Sequence, residues 1–201
     1  MASGKPQQKS GKKVVDKWKT KQWYNVVAPD IFEGRVVAEV VASDPAYLLN
    51  RIVPVNLMDI TGKMSQQNIY TTVNFRITDV KGNNAYTRVI GHELAPSYVR
   101  TLSRKGRSVI HHVVSVETKD GKKVRIKIVA ITFSKVSANT KKNLRNALVK
   151  AIIENGQAMS YDELMKEVIY GNFANKLFSL ANAINAMRRV EVRKTELEET
   201  F

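Results

Sequence analysis

The sequence predicts an α+β protein: an antiparallel β-barrel or curled sheet of about six or seven strands, then a small C-terminal helical unit, with a disordered basic arm in front. Three observations carry this. Period-2 apolar patterning rich in β-branched residues dominates up to about Ser134. Two turn signals, Lys81-Gly82-Asn83-Asn84 and Lys119-Asp120-Gly121, divide that stretch into hairpins. After Ser137 the apolar spacing changes to the three-and-four pattern of an amphipathic helix.

Residues 1–21 carry seven Lys against one acid, Asp16, and little apolar content before Val14. Such a segment cannot bury enough surface to fold alone, so it reads as an arm ordered on a partner; the plainer alternative is a solubilising tail. Gln22 to Phe32 enters the folded part as an extended anchor, since Pro29 disfavours helix just before it. Phe32 to Ala42 is Val-rich, and Asp44-Pro45 opens a short helical turn. Ile52 to Ile60 reads as a strand, placed at an edge by Pro54. Asn68 to Val80 alternates, with Ile69, Thr71, Val73, Phe75 and Ile77 on one face, and Ala85 to Leu94 returns from it. Pro96 to Lys105 has helical spacing. Ser108 to Thr118 and Lys122 to Ser134 flank Asp120-Gly121, read as a type I′ hairpin.

The helical part begins at Asn139 and is expected to stop at Asn155-Gly156. Ser160, with Glu163 three residues on, forms a capping box for a second helix that ends near Tyr170-Gly171. A third runs from about Phe173 to Met187. Val190 and Val192 suggest a short final strand, and the acidic residues 194–201 are expected to fray. The resulting division is arm 1–21, β-barrel domain 22–135 and helical region 136–201.

Charge directs the functional reading. There are 33 Lys+Arg against 18 Asp+Glu, a formal net charge of +15. An excess of that size favours a polyanionic partner. Membrane is the weaker choice: no stretch approaches the roughly 20 apolar residues of a span, no apolar region follows the basic N-terminus, and Ala2 cannot be myristoylated. The absence of cysteine removes disulfides, thiol catalysis and Cys-ligated zinc. The chain therefore reads as cytoplasmic.

Catalytic readings fail individually. His111 and His112 are adjacent on a strand and point to opposite faces, so they do not share a metal. Like His92, they read as satisfied or RNA-facing residues. The Gly4 to Gly11 spacing is too long for a phosphate loop and no strand precedes it. Asp162 and Glu163 suit a helix N-terminus rather than an acid–base pair. No cofactor, metal or small-molecule substrate is expected.

The cations are placed rather than scattered. Lys5, Lys9, Lys12, Lys13, Lys17, Lys19 and Lys21 lie in the arm. Arg100, Arg104, Lys105 and Arg107 cluster around the short helix. Lys123, Arg125 and Lys127 alternate with Val124, Ile126 and Ile128, which puts the cations on one face of a strand. Lys135, Lys141, Lys142, Arg145 and Lys150 fall in an acid-free stretch from Ser134 to Lys150. All but Lys150 are taken as candidate phosphate contacts, for a protein that reads RNA through backbone and shape. The plainer reading of the strand stripe is a solvated sheet face.

Three stretches resemble a known family. These are KKVVDKWKTKQWYNVVAPDIF (12–32), FRITDVKGNNAYTRVIGHEL (75–94, with Gly91) and VVSVETKDGKKVRIKIVAITFSK (113–135). In order and spacing they resemble the archaeal and eukaryotic small-subunit ribosomal protein family called eS-one, older name S-three-a-e. The resemblance runs from about Lys12 to Arg193. It implies a β-barrel with helices, seated on the platform of the small subunit near the mRNA exit and the 3′ end of the small-subunit rRNA. Its implied partners are that rRNA and neighbouring ribosomal proteins, with mRNA a candidate. It also implies an rRNA role for Lys12, Lys13, Lys17, Lys19 and Lys21, and for Lys141, Lys142 and Arg145. The missing basic C-terminal extension of eukaryotic members points to an archaeal-type member. A free-standing RNA chaperone and an RNA-modifying enzyme are the alternatives. The first predicts weak binding to many RNAs; the second needs a pocket of perturbed titratable groups, which the sequence does not offer.

Overall fold

The computed structural model describes residue 16 and residues 18–199. The expected arm up to Val15, with Lys17, lies outside the described residues.

Among the described residues eight strands form one mixed sheet: β1 Gln22–Val27, β2 Val36–Ala42, β3 Ile52–Asn56, β4 Thr71–Lys81, β5 Asn84–Leu94, β6 Val109–Glu117, β7 Lys123–Thr132 and β8 Met187–Glu198. The long strand β5 is the hinge of the topology. One edge pairs with β4 along its length. The other edge is shared: Asn84–Tyr86 pairs parallel with β1, and Gly91–Glu93 pairs antiparallel with β8. From β8 the sheet continues through β7 to β6; from β1 it continues to β2, and from β4 to β3. Among the described residues no pairing closes this sheet on itself. The open, curled form is therefore the one realised, rather than the barrel, and the β1–β5 pair makes it mixed rather than wholly antiparallel.

The C-terminal strand is the main departure from the sequence reading. A short strand at Val190 and Val192 and a frayed acidic end were expected. Instead β8 reaches Glu198 and sits between β5 and β7. The acidic residues stay in the strand because β7 and β5 set cations and a close-packed backbone opposite them. Two helical turns also replace expected strand. Leu57–Thr61 (α1) is capped by the Asn56 side chain and Gln66–Tyr70 (α2) by Ser65. Caps of this kind satisfy the N–H groups that a helix start leaves open. Ile69 consequently leaves the β4 face, on which Thr71, Val73, Phe75 and Ile77 are buried.

Both hairpins form, with different turns. Lys81 pairs with Asn84, and Gly82 alone of the two loop residues has positive φ, as a type II′ turn requires. In the second hairpin Gly121 is left-handed at φ +72 but Asp120 is not, so the expected type I′ turn is absent. The loop is instead longer: Gly121 N–H donates to the Thr118 carbonyl and Thr118 N–H to the Lys122 carbonyl. A Cβ at Gly121 would meet nothing within 4 Å, so Gly121→Val carries only the left-handed backbone penalty. Its expected effect is a loss of about 1–2 kcal/mol in urea unfolding; an unchanged midpoint would mean the turn is drawn wrongly.

Four longer helices complete the fold: Pro96–Leu102 (α3), which borders a groove with Val109 and His111 of β6 and Arg193 of β8, and Ala138–Ala158 (α4), Tyr161–Ile169 (α5) and Asn172–Ile184 (α6). α4–α6 cover the inner face of the sheet, burying Leu144, Leu148, Ile152, Leu164, Met165, Phe173 and Leu177 against its aliphatic residues. The Ser160–Glu163 capping box opens α5, and the Asp120 carboxylate accepts from Tyr161 N–H at 2.9 Å, tying the hairpin loop to the helix start. α4 does not stop at Gly156. The helix runs through it, and a Cβ there would stand 2.6 Å from Val116 Cγ1, so glycine lets the helix lie close on β6.

His92 holds the join between β5 and β8. It is 2% exposed, its Nε2 is 3.1 Å from the Val192 carbonyl and its Nδ1 is 2.9 Å from Thr195 Oγ1. A carbonyl can only accept, so Nε2 carries the proton and Nδ1 takes the hydroxyl's. Burial lowers the imidazole pKa to about 4, against smaller upward pulls from the Val192 carbonyl and Glu93. The unfolded imidazole binds a proton below its ordinary 6.5, whereas the folded one does not until about 4. Folding stability therefore falls as the pH drops through that window, by about 2 kcal/mol at pH 5 relative to pH 7. Urea midpoints at the two pH values check this; His92→Gln should remove that part of the difference.

Candidate nucleic-acid interface

Two of the basic clusters meet at one end of the sheet. The loop 103–108 leads into β6, and the loop 133–137 leaves β7 beside it. Ser108 and Thr132, both buried, bind the two loops together. Ser108 N–H donates to Thr132 Oγ1 at 3.0 Å, and Thr132 N–H donates to the Ser108 carbonyl at 3.0 Å. Val136 N–H donates to Ser108 Oγ at 3.2 Å. This clamp sets Arg104, Lys105 and Arg107 next to Lys135, with Arg100 in the last turn of α3 behind them.

Lys135 leads straight into α4, whose first N–H groups are capped by Ser137. Lys141, Lys142 and Arg145 follow within its first two turns, and no acidic residue lies in the first turn. The positive end of the helix dipole therefore adds to the cations. Arg145 approaches β6 at His112, whose pKa lies below its ordinary value, through burial first and this guanidinium second. Arg100, Arg104, Lys105, Lys135 and Lys142 are exposed; Arg107, Lys141 and Arg145 are half-buried. Among the described residues none of these eight side chains is in an ion pair.

The stripe on β7 has a different environment. Arg125 pairs with Glu198 at 2.7 Å and Lys127 with Glu196 at 2.8 Å. Lys194 bridges Glu93 and Glu196 at 3.0 and 3.1 Å, and Arg76 and Arg88 both reach Glu199. The outer sheet face is thus a lattice of alternating charge, held by the carboxylates of β8. Glu196 is pulled below its ordinary pKa, most by its bond to Lys127. Lys123 is exposed at the rim, in register with Glu117 and Glu198.

Of the arm cations, Lys19 and Lys21 are described and exposed, and the Lys21 ammonium stands 4.1 Å from the centroid of the Trp18 ring. Lys5, Lys9, Lys12, Lys13 and Lys17 lie outside the described residues. Sequence reasoning did not single out Arg193, and it read His111 only as a satisfied or RNA-facing residue, without a site. Both line a groove with Arg100 under α3. No local signal marks them, because the groove is made by elements distant along the chain. Among the described residues no helix is long and apolar enough to cross a membrane.

The model of the ribosomal S3Ae family matches residues 9–200 of this chain. The chain is 39% identical to small ribosomal subunit protein eS1 of Desulfurococcus amylolyticus, over 92% of this chain and 85% of that protein. It is 38% identical to the protein of the same name from Methanothrix thermoacetophila, over 91% and 86%. It is 34% identical to that of Methanobrevibacter smithii, over 94% and 97%.

Proposed function

The chain belongs to the ribosomal S3Ae family, as an archaeal-type member, and from that premise we infer that it is a structural constituent of the small ribosomal subunit, bound to rRNA through phosphate contacts. Its role is in translation and is structural, not catalytic. It acts in the cytoplasm as part of the ribosome. Its seat is the platform near the mRNA exit and the 3′ end of the small-subunit rRNA, the place that the family resemblance implies, with rRNA and neighbouring ribosomal proteins around it.

The observation that carries the rRNA reading is the contrast between two basic surfaces. The end formed by α3, the clamped loops and the start of α4 keeps its cations free of carboxylates among the described residues. The β7 stripe does not. Unpaired, exposed guanidinium and ammonium groups release counterions when phosphates neutralise them, which is the sequence-independent source of nucleic-acid affinity. Lys19 and Lys21, with the rest of the arm lysines, extend that footprint. Arg125 and Lys127 contribute less, because a phosphate would have to displace a carboxylate already in place.

Binding of the purified chain to a small-subunit rRNA fragment tests this. Taking the coefficient of B-form DNA for the duplex, each phosphate contact adds about −0.9 to the slope of log affinity against log salt. Four contacts from the basic end alone would give a slope of about −3.6. A slope near zero would sink the phosphate reading.

A further inference from the structure

We propose that the groove between α3 and the outer faces of β6 and β8 receives one unstacked nucleotide of single-stranded RNA, its base against His111 and the apolar floor and its flanking phosphates on Arg100 and Arg193. This deepens the RNA-binding reading and rests on it. The groove has a volume of ≈ 270 Å³ and is lined by Val99, Arg100, Ser103, Val109, His111 and Arg193, with Pro96 at its end. That lies just below the roughly 300–1,000 Å³ of drug-sized pockets, so it suits a single planar ring better than a larger ligand.

The chemistry of the lining is specific. Val99 and Val109 supply an apolar surface, His111 a planar ring, and Arg100 and Arg193 two guanidinium groups. Among the described residues no carboxylate lines the groove. Aromatic or planar side chains beside cations are what a splayed-out base and its phosphates need. A neighbouring groove on the same sheet face is lined by Lys194, Glu196 and Glu199 and carries charge of both signs. A polyanion would be accepted by the first and resisted by the second.

Arg193 is placed by a β-bulge. Lys127 pairs with Lys194 and Ile128 with Val192, which leaves Arg193 as the extra residue of β8. Val190 and Val192 before it, and Thr195 after it, all face the core. The bulge therefore turns two consecutive side chains, Arg193 and Lys194, outward. Lys194 is taken up by Glu93 and Glu196, and Arg193 is left to the groove. Bulges that re-aim one side chain are features a sheet keeps for a use. Here His92 bonds to residues on both sides of it, Val192 and Thr195. The basic loop 103–108 continues from the groove's mouth, so a strand leaving the groove meets Arg104, Lys105 and Arg107 next.

The test uses the full chain with a fluorescent uridine octamer, an abasic strand of the same length, and a duplex fragment of small-subunit rRNA. Arg193→Gln is expected to weaken octamer binding at least fivefold and to flatten its salt slope by about 0.7 units, for one single-strand phosphate. Duplex binding should stay within about twofold. His111→Ala should weaken the octamer without changing the slope, and should leave the abasic strand unaffected. An octamer that does not bind the wild type, or that binds the Arg193 variant equally well, would overturn the groove while leaving the duplex reading standing. Equal losses on octamer and duplex would also overturn it, by making Arg193 a general phosphate contact. Failure of duplex binding alone, with the octamer losses as stated, would overturn the rRNA reading and keep the groove.

Discussion

Gly91→Ala is expected to lower the unfolding free energy by about 3 kcal/mol or more, at the upper end of overpacking effects. Gly91 sits in β5 opposite Glu196 of β8, and a Cβ there would collide with the backbone carbonyl of Thr195. The obstruction is backbone, not the end of a flexible side chain, so the two strands must separate. Thr195 cannot move alone. Its hydroxyl is within hydrogen-bonding distance of the His92 backbone N–H and Nδ1 and approaches Met165 Sδ at 3.6 Å. Displacing it disturbs β5, β8 and α5 together. The same shift would loosen the carboxylates that neutralise Arg125 and Lys127. Urea unfolding of Gly91→Ala beside Glu93→Ala checks the claim, because the latter loses only the half-buried surface pair with Lys194, worth about 1 kcal/mol. Equal midpoints for the two variants would mean that β5 and β8 do not approach as described.

Replacing Arg104, Lys105, Arg107, Lys135, Lys141 and Lys142 together by Gln is expected to abolish most rRNA affinity and leave the fold intact. None of the six is in an ion pair among the described residues, and none belongs to the buried core. Removing like charges from one end of a strongly basic protein relieves self-repulsion, so the thermal midpoint should hold or rise. The salt slope should shrink by up to about one unit per lost phosphate contact. The comparison is Lys123, Arg125 and Lys127 replaced by Gln. That variant should keep most of its slope and lose stability instead, because Glu198 loses Arg125 and Glu196 loses Lys127, keeping Lys194. If the stripe variant lost affinity as the six-residue variant does, β8's carboxylates would not be holding those cations in solution.

What could be read from the sequence divides along the range of the interactions. The hairpins at Gly82 and Gly121, the Ser160–Glu163 capping box and the cation-rich start of α4 are set by residues within a few positions of each other, and all are found. The Asn155-Gly156 stop signal failed because it too is local, whereas Gly156 answers to Val116 on a distant strand. The place of β8 was hidden for the same reason. Nothing near Glu196 and Glu198 says that Lys127 and Arg125 will lie opposite them. Acidic residues at a chain end look like a solvated tail until their partners are known. The candidate interface was legible as composition, since the two basic clusters stand out in the sequence. That they meet depends on the Ser108–Thr132 clamp, which joins positions 24 residues apart. Arg193 in turn depends on a register mismatch between β7 and β8.

Incorporation into the small ribosomal subunit is what separates this protein from a free RNA chaperone. Its most direct test is co-sedimentation of a tagged chain from lysed source cells, on gradients at moderate and at high salt. One copy per small subunit is expected, retained well beyond the salt that strips loosely bound cations. A protein spread through the light fractions and released by modest salt would contradict it, and would make the chain a free RNA chaperone instead.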